Sequence, residues 1–301
     1  MEKPTVLVTG AAGGAQGQTG RHLTEMLLAR GVPVRAFVHK VDERSDHLHA
    51  LGAEIVVGDF LDIQSVQRAV SGVSTVYFAY PVQDGLLKAT AIMADAARKA
   101  GVTRLIDMVM LVSAPDAPTP RMRENYLSEQ IFEWAGIGAA HVRATVFYEN
   151  LRALAAWSLV QNGTILLPWG SDSTVIPLVS AEDVARVAAG VLTSREVTPG
   201  SSFPVIGEVL RLRDIVATFS RVLERDDVRY QEIPDELWHD GALARGFNEH
   251  AVEHLSALWR TLRTSSTQFA VTDTIEKLGG RKPKAFEEFV REERKTFSSA
   301  A

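Results

Sequence analysis

The chain has 301 residues, of which 46% are hydrophobic and 23% charged, the balance of a soluble globular protein. A formal net charge of −5 gives no reason to expect nucleic acid or an anionic membrane surface as partner, and no apolar run approaches the roughly eighteen residues a membrane-spanning helix requires. There is no cysteine, which excludes disulfides and thiol chemistry and fits a cytoplasmic setting.

Val6 to Val8 is a short apolar run that stops at Gly10, the pattern of a buried parallel strand. Leu23, Leu27 and Leu28 then recur at helical spacing until Gly31. Between strand and helix lie Gly10, Gly13, Gly14, Gly17 and Gly20. Such a turn gathers free backbone N–H groups at the positive end of a helix dipole, which carries roughly half an elementary charge. That is a phosphate site made of backbone. Followed by a second strand at Val32 to Val38, it fits a dinucleotide fold.

His39 and Lys40 come next, where NAD-specific folds carry an acidic residue for the ribose 2′-hydroxyl. The cations favour the extra phosphate of NADP(H) over NAD(H), although Asp42 and Glu43 pull the other way. A short helix and a third strand, residues 53–58, lead to Asp59, at the edge where ligands of doubly wound sheets bind. Asp62 is the expected N-cap of the next helix. The fourth strand, Val76 to Tyr80, ends at Pro81, and a helix runs from Gly85 to Lys99. The fifth strand spans residues 102–112. The helix after it places Leu127, Ile131 and Trp134 on one face, with Tyr126, Gln130 and Glu133 on another. The sixth strand is expected at residues 141–147.

Unbroken βα alternation predicts an α/β fold: a Rossmann-type, doubly wound parallel sheet with helices on both faces. We assign residues 1–150 to this domain, with 174–206 returning to it. Residues 151–301 form a smaller, mostly helical lobe on the substrate side. Ser180 to Asp183 reads as a capping box, and Phe203 to Ile206 as an edge strand. His250-x-x-Glu253-His254 matches an inverted zinc-protease pattern, but such spacing arises by chance on exposed helices and no metal is expected. Trp134, Trp157, Trp238 and Trp259 sit in helical patterns and read as core, whereas Trp169 lies in a loop beside the expected pocket. Tyr148 either lines the substrate site or packs in the core.

The chain resembles the NmrA-like group of atypical short-chain dehydrogenases/reductases over nearly its whole length. The resemblance is carried by Val8-Thr9-Gly10 with Thr19-Gly20-Arg21, Gly58-Asp59, Arg143 through Asn150, Val179 through Ala185, and Phe286 through Val290. The last stretch is similar to bacterial members labelled NAD(P)H azoreductases or quinone reductases. The resemblance implies that Gly10, Gly13, Gly17, Gln18, Thr19 and Gly20 lie near the pyrophosphate, and Asp59 and Phe60 near adenine. It brings Ala79, Tyr80, Pro81, Met110 and Ala144 to Phe147 toward the nicotinamide. The chain departs from the family pattern in three places. Its loop from Thr9 to Gly20 carries four extra residues. Val109-Met110 replaces a common serine pair at the end of the fifth strand. The Tyr-x-x-x-Lys pair becomes Tyr126-x-x-x-Gln130, with Asn125 where relatives often have Lys or His. Tyr126 and Tyr148 are the remaining candidates for an acid–base residue, and Tyr126 lacks the lysine that would activate it.

Two functions follow from the resemblance. One is an NADPH-dependent oxidoreductase passing hydride to a quinone-, azo- or dye-like acceptor. The other is a non-catalytic, redox-sensing NADP(H)-binding regulator. The expected partners are an aromatic or quinoid small molecule and, as open alternatives, a second copy of the chain or a regulated protein.

Overall fold

The computed structural model describes residues 5–14, 17–194, 196–264 and 269–298. In chain order its elements are β1 (Val6–Thr9), α1 (Thr19–Ala29), β2 (Val34–Val38), α2 (Glu43–Ala50), β3 (Glu54–Val57), α3 (Ile63–Val70), β4 (Thr75–Phe78), α4 (Leu86–Ala100), β5 (Arg104–Met110), α5 (Pro120–Trp134) and β6 (Ala139–Ala144). There follow β7 (Val146–Phe147), α6 (Asn150–Asn162), β8 (Thr164–Leu167), β9 (Val175–Val179), α7 (Ala181–Thr193), β10 (Ser202–Val205), β11 (Glu208–Arg211), α8 (Leu212–Leu223) and β12 (Arg229–Glu232). The last elements are α9 (Asp235–Ala244), α10 (Glu249–Thr264), α11 (Thr274–Gly279), α12 (Phe286–Glu292) and α13 (Arg294–Ser298).

Seven strands form one sheet in the order β10-β6-β5-β4-β1-β2-β3, and every pairing in it is parallel. The order reverses at β1, the arrangement of a Rossmann sheet. Parallel strands need helical crossovers, which cover both faces and explain why Leu7, Val76, Phe78 and Leu105 are buried. Pro204 sits on the edge strand β10, where a missing N–H costs no ladder hydrogen bond. Asp62 caps α3 as expected, accepting from the N–H groups of Gln64 (3.1 Å) and Ser65 (3.2 Å).

The chain divides into two compact units. The first holds the described residues of 1–144, 181–205 and 273–282; the second holds those of 145–180, 206–272 and 283–301. The expected sixth strand is in fact two strands. β6 pairs with β5 from Leu105↔Ala139 to Met110↔Ala144, after which the chain enters β7, whose partner is β9. β9 also pairs antiparallel with β11, completing a three-stranded sheet in the second unit. Residues 145–150 and 175–179 therefore group with the second unit, because an apolar run can serve either sheet and its hydrogen-bonding partner decides which.

The core of the second unit is aromatic. Tyr148 lies 5.3 Å from Phe286 and 5.5 Å from Phe289 between ring centroids, and Trp169 lies 5.2 Å from Trp259. Among the described residues no helix is long and apolar enough to cross a membrane.

Candidate functional site

The parallel register brings the turns after β1, β2, β3, β4, β5 and β6 to one edge of the seven-stranded sheet. The glycine loop is the most constrained of them. Gly10, Gly13 and Gly17 have φ of +62°, +68° and +59°, a region that side-chain-bearing residues rarely adopt. Gly20 is required for a different reason: a Cβ there would lie 2.5 Å from the Thr9 carbonyl oxygen and 2.7 Å from that of Gly10. Gly14, by contrast, faces open space. α1 can approach the strand end only because residue 20 has no side chain. Gln18, at φ 70°, precedes α1 without capping it; its side chain instead donates to the Gly14 carbonyl at 3.2 Å. The first N–H groups of α1 thus meet no side-chain cap, and its first turn carries no acidic residue. The backbone fits a pyrophosphate.

Two buried hydroxyls hold this edge together. Thr9 Oγ1 accepts from the Ala79 N–H at 2.8 Å and donates to the Ala79 carbonyl at 3.3 Å, tying β1 to the end of β4. The Tyr77 hydroxyl donates to Thr19 Oγ1 at 2.7 Å, tying β4 to the start of α1. Burial pushes the Tyr77 phenol far up, so this donor is permanent.

His39 and Lys40 are exposed at the end of β2. Arg44, in the first turn of α2, makes the contact to the loop: its Nη1 donates to the Gly13 carbonyl at 2.8 Å. The same guanidinium binds Asp42 at 2.6 Å through Nη2 and 3.2 Å through Nε, and Arg44 holds the Asp42 carboxyl down at about 2. Sequence reasoning missed Arg44 because the acids around it read as a solvated charged turn. Asp59 accepts from the Leu61 N–H at 2.8 Å, so its carboxylate shapes the turn after β3. Phe60 packs edge-on against Phe37 (5.3 Å), Phe78 (5.8 Å) and Tyr80 (5.3 Å), a partly exposed ring held on a buried aromatic cluster.

The segment after β4 is fixed from below. The Tyr80 hydroxyl donates to the Asp84 carbonyl at 2.7 Å, and Pro81 is exposed beside it. Buried Arg121 donates to the carbonyls of Tyr80, Pro81 and Gln83. Sequence reasoning missed this residue too; a cation in the first turn of a helix, against the dipole, was the available signal.

At the end of β5 the Met110 N–H donates to Asn125 Oδ1 at 3.4 Å, and the Leu111 N–H to the Ala144 carbonyl at 2.8 Å. Here the expected face of α5 is corrected. Met122, Asn125, Ser128, Glu129 and Phe132 point inward, whereas Leu127 is exposed and Trp134 is 74% exposed. Polar partners set this face. Glu129 is buried with Arg143 in a two-pronged pair (2.8 and 2.6 Å), and Ser128 donates to Asp107 at 3.1 Å. His141, opposite Asp107 in the sheet, donates from Nε2 to Glu133 at 3.1 Å. Burial works against a charged imidazole, but the Asp107, Glu129 and Glu133 carboxylates outweigh it and raise the His141 pKa. Tyr126 is only partly buried, one position beyond Asn125.

Other expectations fall in the second unit. Val146 and Phe147 belong to its sheet. Tyr148 is fully buried, its hydroxyl donating to the Glu208 carboxylate at 2.8 Å with the Lys284 carbonyl 3.1 Å away, so it is a core residue. Trp169 is core as well, not pocket lining, and Trp157 is 62% exposed instead of buried. Trp238 and Trp259 are buried as expected. His254 packs inside on α10, and among the described residues no three His, Asp or Glu side chains gather into a metal-holding group.

Comparison with known proteins agrees with this geometry. The model of the NmrA-like family matches residues 2–290. The chain belongs to the NmrA-like family. An NAD(P)H azoreductase of Xenophilus azovorans is 25% identical over 291 residues, covering 95% of this chain and 98% of that one. The structure of Citrobacter sp. triphenylmethane reductase complexed with NADP(H) superposes with a TM-score of 0.79 at 22% identity, covering 95% of this chain and 99% of that chain. NmrA itself, a negative transcriptional regulator solved in complex with NADP, superposes with a TM-score of 0.79 at 20% identity, covering 97% of this chain and 95% of that one. Such likenesses show the NmrA-like fold; reductases and a regulator share it.

Proposed function

We propose that this NmrA-like protein binds NADP(H) in preference to NAD(H) and reduces a flat, conjugated acceptor of the quinone, azo or triarylmethane kind. The glycine cradle carries the first half. The turn of Gly10, Gly13, Gly17, Gln18, Thr19 and Gly20 receives the pyrophosphate, with the N–H groups at the start of α1 as donors, and the surface around Phe60, with Asp59, receives adenine. Arg44, already placed at Gly13, takes the 2′-phosphate with His39 and Lys40, giving up Asp42 to do so. Ala79, Tyr80, Pro81, Met110 and Ala144 border the nicotinamide end.

When bound, NADPH supplies a hydride, two electrons and one proton. A cationic triarylmethane dye takes the hydride alone. Where the acceptor takes a proton besides the hydride, as a quinone or an azo bond does, that proton comes from water, because Gln130 and Met110 stand where a lysine and a serine would complete a donor set. That excludes efficient exchange between alcohol and ketone, whose alkoxide needs a positioned acid. It leaves conjugated acceptors that need no positioned acid, either because the reduced anion is delocalised and takes its proton from water or because a cationic dye becomes neutral on taking the hydride; for these the protein need only orient the two partners. The similarity to an azoreductase supports the same class. The test is to mix the protein with NADPH and a panel of quinones, azo compounds and triarylmethane dyes, following nicotinamide absorbance. Turnover of one class is the expected result.

The second reading is a non-catalytic NADP(H)-binding regulator, favoured by the missing donor set and by the likeness to NmrA. Tight cofactor binding without turnover of any acceptor would establish it in place of the reductase.

A further inference from the structure

Arg121 is the second residue of α5 and is buried. Its guanidinium is committed to main-chain oxygens: Nη2 donates to the carbonyls of Tyr80 (3.1 Å) and Pro81 (2.9 Å), and Nη1 to that of Gln83 (3.1 Å). The group also lies 5.6 Å from the centroid of the Tyr80 ring. Its Nε is buried without an acceptor. The carboxylate of Glu124 is 3.8 Å from Nη1, beyond hydrogen-bonding reach, and its Oε2 has no other partner.

Neutral donors could hold three carbonyls, and a buried charge costs more than a buried amide. Burial pulls the Arg121 pKa down to about 10, with Glu124, Tyr80 and Asp107 resisting, so the guanidinium stays charged at neutral pH. Of the pair, only the guanidinium touches the segment after β4. Glu124, three residues further along α5, faces the guanidinium at 3.8 Å without a hydrogen bond to it.

A cation behind that segment acts on charge formed in front of it. The nicotinamide ring is neutral when reduced and cationic when oxidised. We propose that Arg121 is a positioning residue that sets the redox preference of the site: it holds the Tyr80–Gln83 segment in shape, and its charge disfavours the oxidised ring relative to the reduced one. This rests on the reading of Tyr80 and Pro81 as neighbours of the nicotinamide. It makes the site favour NADPH and release NADP+.

The experiment is calorimetric titration of the purified protein with NADPH and with NADP+, reading the ratio of the two dissociation constants. The wild type is expected to prefer NADPH by on the order of tenfold, the discrimination one charge supplies across a protein interior of effective dielectric about 20. Arg121→Met should bring the ratio close to one. Arg121→Lys, which keeps the charge but loses the fork, should weaken both ligands and keep the ratio. Glu124→Gln should widen the ratio by about threefold, since it removes the opposing charge. An unchanged ratio in Arg121→Met overturns the inference, as does a ratio lost in Arg121→Lys, because shape and not charge would then decide. Should Arg121→Met fail to fold, an unchanged ratio in Glu124→Gln overturns it equally. Equal wild-type affinities overturn the inference alone; a wild type that binds neither form overturns the cofactor reading and the inference with it.

Discussion

The two ends of the candidate site are built from different materials. After β1 the work is done by backbone: positive-φ glycines, uncapped N–H groups, and a helix that approaches because residue 20 has no Cβ. Along β5 and β6 it is done by side chains, with Asn125 on Met110 and Arg143 on Glu129 toward the strand ends and Asp107 beside His141 within the strands. The first end leaves no room for a side chain at Gly20 and sets Gly10, Gly13 and Gly17 in left-handed backbone that favours glycine. At the second end Met110 and Gln130 stand where the resemblance places the serine and lysine of the donor set of typical short-chain dehydrogenases.

The largest effect is expected at the backbone end. In Gly20→Val the new side chain meets the Thr9 and Gly10 carbonyls, and cofactor binding should disappear in titration, with a lowered melting temperature. Gly14→Ala, facing open space, should change stability by less than about 0.5 kcal/mol and leave binding intact. Equal damage from both would erase the distinction between a required and an incidental glycine.

The next effect is on stability at the other end. Removing one member of a buried pair costs about 3 kcal/mol, and His141→Gln should show a loss of this order in urea unfolding. The pH dependence has a definite sign. His141 has a raised pKa in the folded chain, so its contribution is complete below the ordinary imidazole value of 6.5 and is lost as pH rises through the folded value. The difference between wild type and His141→Gln should therefore shrink as pH rises from 6.5 through the raised folded value. A difference independent of pH would show that His141 contributes by packing and not by its charge.

Smaller, and specific to cofactor choice, is Arg44→Ala. Losing a charge-assisted contact worth about 1.5–3 kcal/mol should weaken NADPH by tenfold or more and leave NADH nearly unchanged. If Lys40→Ala does this and Arg44→Ala does not, the 2′-phosphate belongs to the exposed residues at the end of β2. The smallest effect is expected in Tyr126→Phe. Acceptor reduction should change by less than about threefold, whereas loss of a true general acid costs on the order of a hundredfold. A collapse of turnover would return Tyr126 to the mechanism.

The amino-acid sequence by itself determined the alternation of strands and helices, the parallel sheet, the glycine loop, the Asp62 cap and the edge strand bearing Pro204. Each rests on local physics: periodicity, left-handed backbone, or a missing N–H, all of which are written within a few residues. The inward face of α5, the break between β6 and β7, the burial of Trp169 and exposure of Trp134, and the placement of Arg44 and Arg121 were decided by tertiary structure alone. Leu127, Ile131 and Trp134 form the more apolar stripe of α5, yet the helix turns Ser128 and Glu129 inward. Asp107 and Arg143, distant in sequence, supply partners that local periodicity cannot register. Arg121 follows the same logic: a cation inside a protein is explained only by the oxygens it meets, and those of Tyr80, Pro81 and Gln83 lie on another element. Backbone demands are local and legible, whereas the satisfaction of a buried polar group depends on residues that only folding brings together.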